Sequence, residues 1–207
     1  MSEQFIKAFR GDAKALERIP GSKDRKLVKR ILALDVAEEV GELVAERDLE
    51  LEDVLVEIVD GKLSKKHDYV YRRVLELFAA AVMKPLDDEA TLPGRGWQDL
   101  TPAWKHWGQK TLAKFWAGDH GWPWKKNPVR WPIAYVIPAK SIAALGKELK
   151  SFGEKTVYAK GIPRGIDRFS EYWSVELLAP EVDNAAQAIR AWCRGKGDLL
   201  VWHDGQQ

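Results

Sequence analysis

Seven of the ten tryptophans fall between Trp97 and Trp131, and the stretch from Thr91 to Trp131 carries seven lysines and arginines against two carboxylates. Rings interleaved with cations suit two kinds of contact. Single-stranded nucleic acid stacks its bases on such rings, at roughly 1–3 kcal/mol per base, while the cations neutralise phosphates. Protein partners are held by a few buried aromatic anchors. Trp104 and Trp107 stand three residues apart, nearly one helical turn, and Leu112, Phe115 and Trp116 extend that apolar surface. Trp104, Trp107 and Phe115 are expected to face inward. Trp122, Trp124, Lys125, Lys126, Arg130 and Trp131 lie in a loop rich in glycine and proline, Gly121 to Pro132, and are the expected partner contacts.

A second pattern is acidic. Asp35, Glu38, Glu42 and Glu46 recur at helical spacing, and Asp35 to Asp60 holds eleven carboxylates with Arg47 as its one basic residue. Paired carboxylates can serve metal or acid–base chemistry. A di-iron helix site would need Glu-x-x-His pairs, and none occurs. The stripe therefore reads as a solvated face or, through Glu38, Glu42 and Glu46, as a docking surface for a basic protein, since complementary charge speeds association.

Histidine and cysteine chemistry has little linear support. His67, His106, His120 and His203 show no His-x-x-x-His spacing and no cysteine at zinc-ligand distance. Cys193 reads as a small apolar residue. No glycine-rich nucleotide loop, phosphate loop or Gly-x-Ser-x-Gly elbow is present, so no cofactor or metal is expected. His67, His106, His120, His203, Arg164 and the carboxylates could still converge in space as an active site without leaving a linear signature.

These residues must be positioned by a chain of 207 residues, 45% hydrophobic and 31% charged, a globular composition. No apolar run approaches the roughly 18 residues that span a bilayer. Met1-Ser2-Glu3-Gln4 has neither a basic n-region nor an apolar h-region. Cytoplasmic residence away from membranes is expected, as one globular domain over residues 1–207.

Along the chain, Ser2 is expected to cap a short helix carrying Phe5, Ile6 and Phe9, and Ser22 to open a long helix through Leu43. Leu51 to Val59 is amphipathic, with Gly61 as its natural C-terminal stop. Asp68 is expected to cap the next helix, and 86–96 reads as a loop. Thr101-Pro102 starts a helix running to Gly118. Ile133 to Ile137, between Pro132 and Pro138, reads as a strand, as do Lys155 to Ala159, Tyr172 to Leu178 and Leu199 to Trp202. Ser141 to Leu149 is expected to be helical, and a further helix starts at Asp183. The fold class is α+β: mostly helical over the N-terminal two-thirds, with a small mixed or antiparallel sheet from the C-terminal third.

Several of these segments resemble a family of small uncharacterised bacterial proteins grouped as a domain of unknown function. Gly21-Ser22-Lys23-Asp24 is similar to the entry into that group's first long helix. Ile58-Val59-Asp60-Gly61 and Tyr69-Val70-Tyr71 through Met83 resemble its next helix pair, Trp131-Pro132-Ile133 to Ile137 a later strand, and Leu199 to His203 its closing strand. The resemblance implies no catalytic residues. The leading expectation is a non-catalytic protein-binding module, such as a bacterial immunity protein that neutralises a toxin. The alternatives are a single-stranded nucleic-acid binder using segment 97–131 and an enzyme with a site assembled from distant residues.

Overall fold

The structure, a computed structural model, describes residues 3–87, 90–93, 100–116, 123–124, 133–164 and 174–205. The fold is α+β, helical through most of its N-terminal two-thirds, and its sheet is antiparallel. The elements run β1 (Glu3–Gly11), α1 (Lys14–Glu17), α2 (Arg25–Leu32), α3 (Val36–Ala45), α4 (Leu51–Asp60), a 3-10 turn (Lys65–His67), α5 (Asp68–Arg73), α6 (Leu75–Val82), β2 (Lys84–Pro85) and β3 (Ala90–Pro93). There follow α7 (Thr101–His106), α8 (Lys110–Phe115), β4 (Ile133–Ile137), α9 (Ala139–Leu149), α10 (Glu154–Lys160), α11 (Val175–Trp192) and β5 (Asp198–Gly205).

The sheet order is β2-β1-β5-β4, with β3 sharing the outer edge of β1 with β2. β1 is therefore a strand, not the helix expected for Phe5, Ile6 and Phe9. It pairs with β5 along its length, from Gln4 opposite Gly205 to Gly11 opposite Asp198. Side chains alternate across the sheet. Ile6, Ala8, Tyr135, Leu199 and Val201 enter one core, and Phe9, Ala134, Leu200 and Trp202 enter the other. A strand buried on both faces loses the polar alternation by which strands are read.

The first core packs α7 to α11 on one face of the sheet. Trp104 meets Trp107 edge-on at 5.5 Å, Trp116 at 5.1 Å and Phe152 at 5.6 Å. The second core packs α1 to α6 on the opposite face, through Leu16, Ile31, Val40, Leu55, Tyr71 and Phe78.

Several boundaries differ from expectation for local reasons. The long helix from Ser22 is two helices: Asp24, not Ser22, caps α2 by accepting from Leu27 N at 2.9 Å, and the chain bends again before α3. Gly108, at φ +90°, separates α7 from α8 where one helix was expected. The expected loop over 86–96 contains β3. His67 occupies the cap position expected for Asp68.

Lys155 to Ala159 is helical, because only Val157 turns inward and Tyr158 points to solvent. Leu177 and Leu178 open α11, whose cap Ser174 accepts from Leu177 N. That helix begins well before Asp183 and runs through Pro180.

Candidate functional site

The acidic stripe is where the spacing places it. Glu38, Glu42 and Glu46 are exposed on α3 and its C-terminal end, while Ala37, Val40 and Val44 are buried on the opposite side. None of the three carboxylates makes an ion pair among the described residues. Further along the acidic segment Asp60 is engaged, by Arg25 at 2.9 Å and Lys62 at 3.5 Å.

The tryptophan loop is otherwise. Trp124, expected as an exposed contact, is only 5% exposed and packs edge-on against Phe78 at 5.9 Å. Burying an indole removes roughly 150–250 Å² from water, and the second core has room for it. Trp122, Lys125, Lys126, Arg130 and Trp131 lie outside the described residues. Trp104, Trp107 and Trp116 are buried too, so the four described tryptophans of this segment offer no face to a nucleic-acid base, while Phe115 is half-buried.

At the C-terminal end of α3 the acidic stripe meets a cleft of about 460 Å³, lined by Arg47, Leu49, Lys66, His67, Tyr69 and Val70. Its construction starts at Gly61. The left-handed conformation there (φ 72°) ends α4 and reverses the chain, with Lys62 N donating to Glu57 O at 2.9 Å. The reversal carries the 3-10 turn back over Glu57.

His67 Nδ1 then lies 2.9 Å from Glu57 Oε2, and Tyr71 Oη donates to the same oxygen at 2.5 Å. Tyr71 Oη also accepts from Ser64 N at 2.8 Å. An ionised carboxylate can only accept, so the imidazole carries its proton on Nδ1, and Nε2 is left as the second nitrogen of a ring that lines the cleft.

Charge follows geometry. Burial works to raise the carboxyl of Glu57, but the hydrogen bonds from Tyr71 and His67 and the charge of His67 outweigh it and hold it below its usual range. Burial, and then the bond to Glu57, push the Tyr71 hydroxyl well above its ordinary value. Tyr69 is flanked by two guanidinium groups, Arg47 at 5.3 Å and Arg73 at 5.1 Å from the ring centre, and Arg73 donates to its hydroxyl at 2.9 and 2.7 Å. The cleft thus joins two exposed cations, Arg47 and Lys66, to an imidazole of fixed tautomer.

The other candidates stay apart. His106 Nε2 lies 2.9 Å from Lys160 O at the surface, and Arg164 is exposed. His120 lies outside the described residues. His203 is wholly buried between Tyr135, whose hydroxyl is 3.1 Å from Nε2, and Trp116, whose ring is 4.9 Å away. Burial depresses its imidazole to about 3. Burial raises the thiol of Cys193 to about 11, against the charge of Arg10.

Among the described residues no group of three or more His, Cys, Asp or Glu is placed to hold a metal ion, and no helix is long and apolar enough to cross a membrane.

The residues that reading along the chain missed are Glu57, Tyr69 and Tyr71. Glu57 and His67 are ten positions apart on opposite sides of a reversal, so no linear motif joins them. Gly61 was the available signal.

Over residues 1–199 the chain matches a family model described as Domain of unknown function (DUF7691). No curated protein and no solved structure matches it.

Proposed function

This chain belongs to the DUF7691 family, and from that premise we propose that it is a non-catalytic protein-binding module that presents the acidic face of α3 to a basic protein. The observation that carries this reading is the exposed stripe Glu38, Glu42 and Glu46, which makes no ion pair among the described residues. Like charges four residues apart disfavour a helix by a few tenths of a kcal/mol, roughly 0.2–0.5 per pair. A cationic partner surface would relieve that repulsion and gain from steering. A basic toxin neutralised by this chain is one partner of that kind. The reading takes residues 1–207 as one globular unit, supported by the two cores that share one sheet, and assumes a cytoplasmic setting.

The test is quantitative affinity capture from the source organism with the native chain and with the E38K/E42K/E46K variant. Proteins retained by the native chain and lost from the charge-reversed one are the expected result. Identical recovery by both would remove the reading.

The Glu57–His67 pair favours a second reading, an enzyme acting on a small anion held by Arg47 and Lys66, with His67 as general base. Turnover of simple phosphate or carboxylate esters that H67Q abolishes would carry it. Turnover unchanged in H67Q, or none at all, would remove it.

A further inference from the structure

The cleft at the C-terminal end of α3 has two kinds of wall. Arg47, Lys66 and His67 line it with basic groups, and Leu49, Tyr69 and Val70 line it with apolar surface. Among the described residues no carboxylate lines it. Its volume, about 460 Å³, lies within the range of sites that enclose a small group.

Local structure sets these walls. Asp48 holds φ +57°, a left-handed conformation that aspartate adopts more readily than most residues. Arg47 and Leu49, on either side of it, both line the cleft, while Asp48 itself is exposed. The guanidinium of Arg47 stands 5.3 Å from the centre of the Tyr69 ring. Ser64 Oγ accepts from Lys66 N at 3.2 Å and caps the 3-10 turn that carries Lys66. Neither Arg47 nor Lys66 makes an ion pair among the described residues. The carboxylate of Glu57 is already taken up by His67 and Tyr71.

The chain next to these walls has the opposite sign. Glu46, the last member of the stripe, directly precedes Arg47, and Glu46, Asp48 and Glu50 are all exposed. Asp68, which follows His67, is half-buried, with Oδ1 closed to solvent. A small free anion would approach against the field of these carboxylates. An anion at the end of a basic chain brings cations that they attract. The spacing also fits a chain. Side chains four residues apart on a helix are about 6 Å apart along its axis. Alternate side chains of an extended peptide, which share one face, are about 6.6 Å apart. One basic residue in two therefore matches the spacing of Glu46, Glu42 and Glu38.

We propose that the cleft captures the C-terminal residue of the basic partner. Arg47 and Lys66 take its terminal carboxylate, the arginine through the paired N–H bonds that suit two oxygens. Leu49, Tyr69 and Val70 take its apolar side chain, and the glutamates of α3 take the basic residues before it. This inference rests on the protein-binding reading and names which end of the partner is held.

The test is fluorescence anisotropy of the whole chain with a short labelled peptide, lysine at alternate positions and leucine last, at fixed ionic strength. The peptide is made as the free acid and as the C-terminal amide. The acid is expected to bind at least about tenfold more tightly, the loss that follows from removing charge-assisted hydrogen bonds. R47Q/K66Q should bind the acid no better than the amide. Should that variant fail to fold, K66Q alone should narrow the difference several-fold. E38Q/E42Q/E46Q should weaken acid and amide alike and leave their ratio unchanged. Equal binding of acid and amide by the native chain overturns the proposal, as does no binding of either, or N-acetyl-leucine binding as tightly as the peptide. In each of these cases capture from the source organism that still depends on the three glutamates would leave the protein-binding reading standing.

Discussion

The cleft beside α5 and the seam under β4 and β5 each set a histidine ring beside a tyrosine ring, His67 by Tyr71 and His203 by Tyr135, yet they differ in every other respect. His67 is partly exposed, its Nδ1 is tied to a carboxylate, and cations stand around it. His203 has no exposure, no charge partner among the described residues, and an unpartnered Nδ1. In the first place the ring is held by Glu57 and reached by water. In the second, burial expels the proton, and the ring serves as packing between Trp116 and Tyr135. The comparison shows how one residue type becomes a surface group or a core group according to which helices cover it.

The largest expected effect lies at the seam. Trp116→Ala would open a cavity beside His203 and cost about 3–5 kcal/mol, measured by urea unfolding. Water entering that cavity would raise the imidazole pKa. A loss below about 1 kcal/mol would show that the seam collapses around the missing ring.

Next is the pH dependence of stability. The imidazole of His203 is held at about 3 in the folded chain, against 6.5 for its ordinary value. The unfolded chain therefore binds the proton first. This contribution to stability is complete above pH 6.5 and falls away as pH drops from there toward 3, by a few kcal/mol in all, at about 1.4 kcal/mol per pH unit. H203Q should flatten that part of the stability–pH curve. An unchanged slope in H203Q would place the acid sensitivity elsewhere.

A smaller effect is expected at the cleft. Tyr71→Phe removes the hydroxyl that donates to Glu57 and accepts from Ser64 N, at a cost of about 1–2 kcal/mol. It should also let the Glu57 carboxyl rise toward its usual range, a change that NMR titration of the side chain reads directly. Smallest of all, E38Q/E42Q/E46Q should shift stability by about 0.4–1 kcal/mol, in the stabilising direction, because two like-charge pairs are removed from an exposed helix face.

How much of this was legible in advance depends on the range of the signal. Ile133–Ile137 was readable because two prolines bound a short apolar run, and Gly61 because a helix stop demands a left-handed residue. Glu38, Glu42 and Glu46 were readable from period alone. β1 was not, since its partners lie up to two hundred residues away and it carries apolar side chains on both faces. Trp124 was misread because glycine and proline mark a loop but not its depth. Glu57, His67 and Tyr71 meet only after the chain doubles back.

The two edges of β1 are supplied at different moments of synthesis. β2 and β3, complete once residue 93 has been made, can sheathe its outer side early. Its inner side waits for β5, which ends at residue 205. On the ribosome, β1 must therefore stay half-paired until residue 205 has been made, and both cores close only after β5 has joined it.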